Sequence, residues 1–191
     1  MRSTWSRLFV RIIAHEMGGA LVMIFWIVIG IFICQRLIEV LVAKRNEKKV
    51  KALGAIEFGA SHYPYMVAMH AAFFLSLIGE TWLLHRQPSR FFLLLLVFLL
   101  ATQVIRYWAL CSLGTFWNTK ILVVPNAMIV KKGPYRWLKH PNYVVVAIEL
   151  MFIPLLFNAF ITAILFTCLN GWMMMVRIQT EEKALNQYLL N

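Results

Sequence analysis

The stretch that most restricts this chain is Phe91 to Leu113, "FFLLLLVFLLATQVIRYWALCSL", which carries a single charged residue, Arg106. A helix of about 20 apolar residues crosses the roughly 30 Å hydrocarbon core of a bilayer. Inside lipid the backbone must satisfy its own hydrogen bonds, which leaves helices or closed barrels. Comparable apolar windows recur along the sequence and predict spans over about 17–43, 64–84, 91–113, 141–157 and 159–177. The chain therefore reads as an all-α integral membrane protein, one domain over 1–191 built as a bundle of about five transmembrane helices. Its 61% hydrophobic content lies well above the 45–50% of soluble domains. Arg2, Arg7 and Arg11 ahead of the first run resemble a signal peptide. That run is too long, lacks a small-residue cleavage site and is followed by further spans, so it reads as a retained helix.

The formal net charge is +11. Nucleic acid is excluded as the partner, because the cations sit at helix ends and in loops with no soluble domain to carry a reading face. Anionic membrane lipids are the expected partner. With both long loops and the C-terminus on one side, that side holds twelve Lys and Arg, counting Arg177 at the very end of the fifth span, against five on the other. Positive charge stays inside, so the expectation is a cytoplasmic C-terminus and an N-terminus outside, in a bacterial plasma membrane. Cys34, Cys111 and Cys168 lie in apolar segments without paired spacing and read as packing residues. His62, Met66 and His70 share a helix face, yet two turns, roughly 12 Å, separate the histidines. One ion ligated at about 2 Å cannot take both, so no metal is expected; channel lining or helix–helix hydrogen bonding suits them better.

The densest cationic and aromatic patch is "KKGPYRWLKHPNY", residues 131–143, at the mouth of the fourth span. Pro141 suits the first turn of a helix, where a missing N–H costs nothing. The segment reads as an interfacial turn and a break. A plain membrane-interface anchor explains Tyr135, Arg136, Trp137 and Lys139, but not His140 and Asn142. The second candidate is "RIQTEE", where Arg177 and Glu181 stand at i and i+4. This is either a helix-end ion pair, worth about 0.3–0.5 kcal/mol, or a functional pair at the bilayer edge.

In combination these stretches resemble the isoprenylcysteine carboxyl methyltransferase family. Gly133, Tyr135, His140, Pro141 and Tyr143 are followed, two helices later, by Arg177, Glu181 and Glu182. Lys139 departs from the arginine of many members. The stretch from Gln35 to His70 is similar to a bacterial branch that O-methylates long-chain alkylpyrones. The resemblance implies a membrane-embedded enzyme using S-adenosylmethionine, its cofactor site at the cytoplasmic edge. Backbone groups of Ala127, Met128, Ile129 and Val130, together with Tyr135, would hold the adenosine portion. His140, Pro141, Asn142 and Tyr143 would close around the cofactor, with Glu181 as a further contact, and Arg177 would face the acceptor.

The chemistry required is compatible with these residues. Methyl transfer from a sulfonium is an in-line displacement that gains most from positioning in a dry site. An anionic acceptor needs a cation to hold its oxygen, and an arginine does so without losing its charge. The expected activity is S-adenosylmethionine-dependent O-methylation of a lipophilic anionic acceptor, an alkylpyrone-type polyketide. A prenylcysteine carboxyl group is the alternative acceptor. A small transporter or a structural membrane protein is the alternative class, although a transporter would gather charge at mid-membrane.

Overall fold

The computed structural model describes residues 4–188, with side chains from residue 19 onward. Arg2 and the last residues of the C-terminal polar segment lie outside the described residues, as do the side chains of Arg7 and Arg11. Five helices account for most of the chain: α1 (Thr4–Ala52), α2 (Tyr63–Leu83), α3 (Phe92–Leu113), α4 (Pro141–Leu155) and α5 (Phe160–Tyr188). Four of them are long and apolar enough to cross a membrane, from Gly19–Ala52, Tyr63–Leu83, Phe92–Phe116 and Phe160–Tyr188. α4 has only 15 residues, or about 22 Å at 1.5 Å per residue, and falls short of the fourth span expected over 141–157.

Two further boundaries differ from expectation. α1 does not stop at residue 43 but carries the cations of "KRNEKKVKA" on helix, because nothing there breaks it and Lys51 pairs with Glu47 one turn back at 2.6 Å. Gly54, at φ +84°, ends it, its N–H donating to the Lys51 carbonyl. Likewise the polar "TEEKALNQY" is no separate helix but the continuation of α5.

Two compact units divide within α1, residues 1–37 and 38–191. The first is helix throughout its described length, with Val22, Met23, Trp26, Ile27 and Ile31 exposed. The second holds everything that positions the site. There α5 packs against α2 and α4, and α4 also packs against α3. Phe73 of α2 meets Phe166 of α5 edge-on at 5.5 Å, and the hydroxyls of Ser76 and Thr162 hydrogen-bond at 2.9 Å across the same pair. Small polar pairs of this kind draw helices together in lipid.

Glu80, buried in α2, accepts from the N–H groups of Ile161 and Thr162 at 3.2 and 2.7 Å. It thereby caps the start of α5 with a negative charge, and Arg86 pairs with it at 3.2 Å. Arg106, wholly buried in α3, donates to both oxygens of Glu39 at 2.9 Å and to the Glu149 carboxylate of α4. Gln103 donates to Glu149 as well, at 2.6 Å. Hydrogen bonding on this scale is what makes a buried charge tolerable.

A small sheet was not anticipated in an all-α reading. β1 (Ile56–Phe58) pairs antiparallel with β2 (Ile121–Val123), Glu57 opposite Leu122. Lys120 binds Glu47 of α1 at 2.9 Å and Glu57 of β1 at 3.2 Å. These two carboxylates hold its pKa above the ordinary lysine value, the Glu47 hydrogen bond first. Asn46 donates to the Trp117 carbonyl at 2.8 Å and Asn118 to the Ala43 carbonyl at 3.0 Å, fastening the 114–123 segment to α1.

Candidate active site

The segment that opens the fourth helix is placed by close packing. Gly133 has φ +56°, and a Cβ there would collide with the Ser112 side chain. Only glycine lets the 3-10 turn Gly133–Arg136 press onto the end of α3, where Trp108 and Trp137 meet at 5.8 Å. The chain then breaks, and Pro141 opens α4 at its first turn. His140 precedes the helix and stacks on Tyr143, rings 5.3 Å apart and 14° from parallel.

From the facing side α5 brings Arg177, Glu181 and Glu182. The two candidate residues Arg177 and Glu181 form no ion pair with each other among the described residues. They meet instead on one hydroxyl. Tyr143 donates to Glu181 Oε2 at 2.5 Å, and Arg177 Nε donates to the Tyr143 oxygen at 3.4 Å. Arg177 is only 4% exposed. Its Nη2 donates to the Thr119 carbonyl at 2.9 Å, and the guanidinium lies 5.7 Å from the Tyr143 ring centre. Nη1 carries no protein partner among the described residues and is the nitrogen left for a ligand.

His140 Nδ1 lies 3.6 Å from Glu181 and Nε2 3.5 Å from Glu182. Lys139 reaches Glu182 at 3.6 Å but is largely in solvent, so that pair contributes little. Burial, and then the negative charge of Glu181, hold the Tyr135 hydroxyl above its ordinary range, leaving it a neutral donor.

These groups surround a cavity of about 110 Å³. Tyr135, His140, Asn142, Tyr143, Arg177 and Glu181 all line it. Pro141 does not line it and is buried as the first residue of α4. Ala127, Met128, Ile129 and Val130 do not line it, and Met128 is 86% exposed. The strand Ile121–Val123 occupies the wall instead, six residues earlier, together with Trp117 and Asn118. In a two-stranded sheet β2 has one unpaired edge, whose N–H and C=O groups can read a flat polar ligand. The apolar, partly β-branched run "ILVV" was the available signal for a strand. Nothing in the sequence marked Thr119, whose carbonyl anchors Arg177. Two buried polar atoms at the site, His140 Nε2 and Asn142 Oδ1, have no hydrogen-bond partner. Groups of this kind are normally satisfied, and both residues line the cavity, where a ligand or water could reach them.

Helices long and apolar enough to cross a membrane, with a polar, aromatic cleft where a short helix begins and a long one turns polar, define a polytopic membrane protein with a candidate site in that cleft. The chain belongs to the isoprenylcysteine carboxyl methyltransferase (ICMT) family, whose pattern matches residues 93–187, from the first turn of α3 to the end of α5. That membership places it among membrane methyltransferases. It is 56% identical over 164 residues to the uncharacterized protein YpbQ of Bacillus subtilis strain 168, covering 86% of this chain and 98% of the relative. An uncharacterized protein of Haemophilus influenzae Rd is 29% identical over 146 residues, 74% of this chain and 83% of the relative. No solved structure matches.

Proposed function

We propose that this protein is an S-adenosylmethionine-dependent O-methyltransferase acting on a lipophilic acceptor at the membrane, its active site facing the cytoplasm of a bacterial cell. The observation that carries the reading is the Tyr143 hydroxyl, which ties Glu181 and Arg177 to the α4 entrance around one cavity. S-Adenosylmethionine supplies a methyl group on a positively charged sulfur. The residues present fit such a ligand. Glu181 offers a negative charge, and the stacked faces of His140 and Tyr143 offer aromatic surface to a cation. Asn142 Oδ1, which has no hydrogen-bond partner, and the His140 ring offer polar contacts, and the edge of β2 suits an adenine ring. The cavity is below the 300–1,000 Å³ typical of ligand sites, so binding requires side chains to move apart.

Arg177 Nη1 is placed to hold the acceptor oxygen as an anion. Burial sharpens that interaction, because little water competes. An alkylpyrone-type polyketide is the preferred acceptor and a prenylcysteine carboxyl group the second. Exposed Met128, Ile129, Trp137 and Leu138 beside Lys131, Lys132 and Arg136 would seat this edge among anionic headgroups. A transporter reading finds less support: the buried charges Glu39, Arg106 and Glu149 bind one another instead of lining a path. The test is calorimetry of purified protein with S-adenosylhomocysteine, without added metal. Micromolar binding that is lost in His140→Ala is expected. Absence of binding at millimolar ligand by folded protein would overturn the reading.

A further inference from the structure

A third buried polar atom belongs to the wall of this cavity and has no part in the arrangement above. Trp117 lines the cavity and is 3% exposed, and its Nε1 has no hydrogen-bond partner among the described residues. The backbone of Trp117 is already engaged. Its N–H donates to the Gly114 carbonyl at 3.2 Å, and its carbonyl accepts from Asn46 Nδ2 at 2.8 Å. The indole N–H is therefore the hydrogen-bonding group that Trp117 has left for a ligand. A buried donor is costly to leave unmade, and the two backbone bonds fix the segment that carries this one.

Two observations put the donor on the acceptor's side of the cavity. The first is its tie to Arg177. Thr119, two residues on and so within about 7.6 Å of backbone, accepts from Arg177 Nη2 through its carbonyl at 2.9 Å. Arg177 lines the same cavity of about 110 Å³. The second is the chemistry of the wall. Leu113 and Phe116, just before Trp117, line the cavity as well. Phe116 is 45% exposed and closes the apolar stretch Phe92–Phe116, which is long enough to cross a membrane. A lipophilic tail meets its own kind there, whereas His140, Asn142 and Glu181 make the α4 and α5 side polar.

The geometry points to Trp117 Nε1 as a second donor to the anionic head of the acceptor, beside Arg177 Nη1. This rests on the methyltransferase reading and deepens it by adding a residue that selects ionised acceptors. Indole only donates, so it suits an acceptor that arrives without a proton to lose. In the transfer an oxygen lone pair forms the bond to the methyl carbon, the carbon–sulfur pair remains on sulfur, and no proton moves. That step consumes the acceptor's negative charge. A donor to the anion therefore holds the acceptor more tightly than the neutral methylated product, and its loss falls on binding and KM more than on kcat.

The test compares the parent with Trp117→Phe and with Trp117→benzothienylalanine, which keeps the shape of indole and puts sulfur in place of N–H. Calorimetry on protein loaded with S-adenosylhomocysteine measures two anions, N-acetyl-S-farnesylcysteine and a dodecyl hydroxypyrone, and their neutral counterparts, the carboxamide and the methoxypyrone. For the anion that the parent binds, affinity should fall about tenfold or more in both variants, the scale of a hydrogen bond to a charged group. Its neutral counterpart should lose distinctly less, S-adenosylhomocysteine affinity should stay within a few fold, and KM should change more than kcat. In protein carrying ¹⁵N-tryptophan, the same anion should move downfield the indole resonance that Trp117→Phe removes. Unchanged anion affinity, equal losses for anion and neutral counterpart, an unmoved resonance, or no binding of either anion to the loaded parent overturns this inference and leaves the methyltransferase reading standing. A loss of S-adenosylhomocysteine affinity in both variants assigns the donor to the cofactor and overturns it too. Failure of S-adenosylhomocysteine to bind the folded parent removes both readings.

Discussion

Tyr143→Phe is the perturbation that most directly probes the site, because it deletes one oxygen and keeps the ring that stacks on His140. That oxygen serves two partners. It donates to Glu181 Oε2 at 2.5 Å and accepts from Arg177 Nε at 3.4 Å. A hydrogen bond to a charged group contributes about 1.5–3 kcal/mol net. The Glu181 side chain keeps 28% of its surface in contact with solvent, so water will replace part of that bond. The Arg177 contact is long and adds little. The lower end, about 1.5 kcal/mol, is the reasoned figure, or roughly tenfold in an equilibrium constant. If the hydroxyl orients Glu181 for the cofactor, S-adenosylhomocysteine should bind about tenfold more weakly to Tyr143→Phe by calorimetry, with stacking and fold intact. A double-mutant cycle with Glu181→Gln isolates the pair: the two losses should couple by about 1 kcal/mol or more. Additive losses would mean that the hydroxyl and the carboxylate act independently. Unchanged affinity in both single variants would refute the placement of the cofactor beside Tyr143.

Arg177→Ala should retain S-adenosylhomocysteine affinity within a few fold while single-turnover transfer drops about 10²–10³-fold; Arg177→Lys should recover little, since a point charge lacks the planar fork. Gly133→Ala should cost about 1–3 kcal/mol of stability, from an alanine held at positive φ and the clash with Ser112, read as a lower unfolding temperature in detergent. Arg106→Met should cost about 3–5 kcal/mol because it strands the buried Glu39 and Glu149 carboxylates, and adding Glu39→Gln with Glu149→Gln should restore most of it. A cysteine at exposed Asn126 should react with a membrane-impermeant reagent only from the cytoplasmic side; labelling from outside intact cells would invert the proposed orientation.

The sequence showed the helices because lipid imposes a simple rule, and apolar runs of spanning length leave few alternatives. It misjudged α1 and α5 where that rule stops applying. Beyond the apolar run, helix persists on ordinary propensity, and "KRNEKKVKA" and "TEEKALNQY" consist almost wholly of helix formers. The same blindness hid β1 and β2, three residues each. Such short strands are stabilised by what they pack on, here the Lys120 bridge to Glu47 and Glu57, and not by any periodicity of their own. Tyr135, His140, Asn142, Tyr143, Arg177 and Glu181 were singled out through the resemblance, and the fold brings all six to one cavity. What spacing could not reveal was their connection. Arg177 and Glu181 at i and i+4 suggest a pair with each other, yet each turns to the Tyr143 hydroxyl on another helix. Thr119 was invisible for a deeper reason. It acts on Arg177 through its backbone carbonyl, a group every residue possesses, so no side chain at that position could have announced the role. His62 lies between these cases. Its residue type was noticed, but a helix-face reading grouped it with Met66 and His70, whereas the fold leaves it at the position before α2, its ring against the Gly59 backbone. What the sequence cannot show is which elements meet. In this chain, that meeting at Thr119 and Tyr143 turns an arginine within α5 into a candidate for holding an oxyanion.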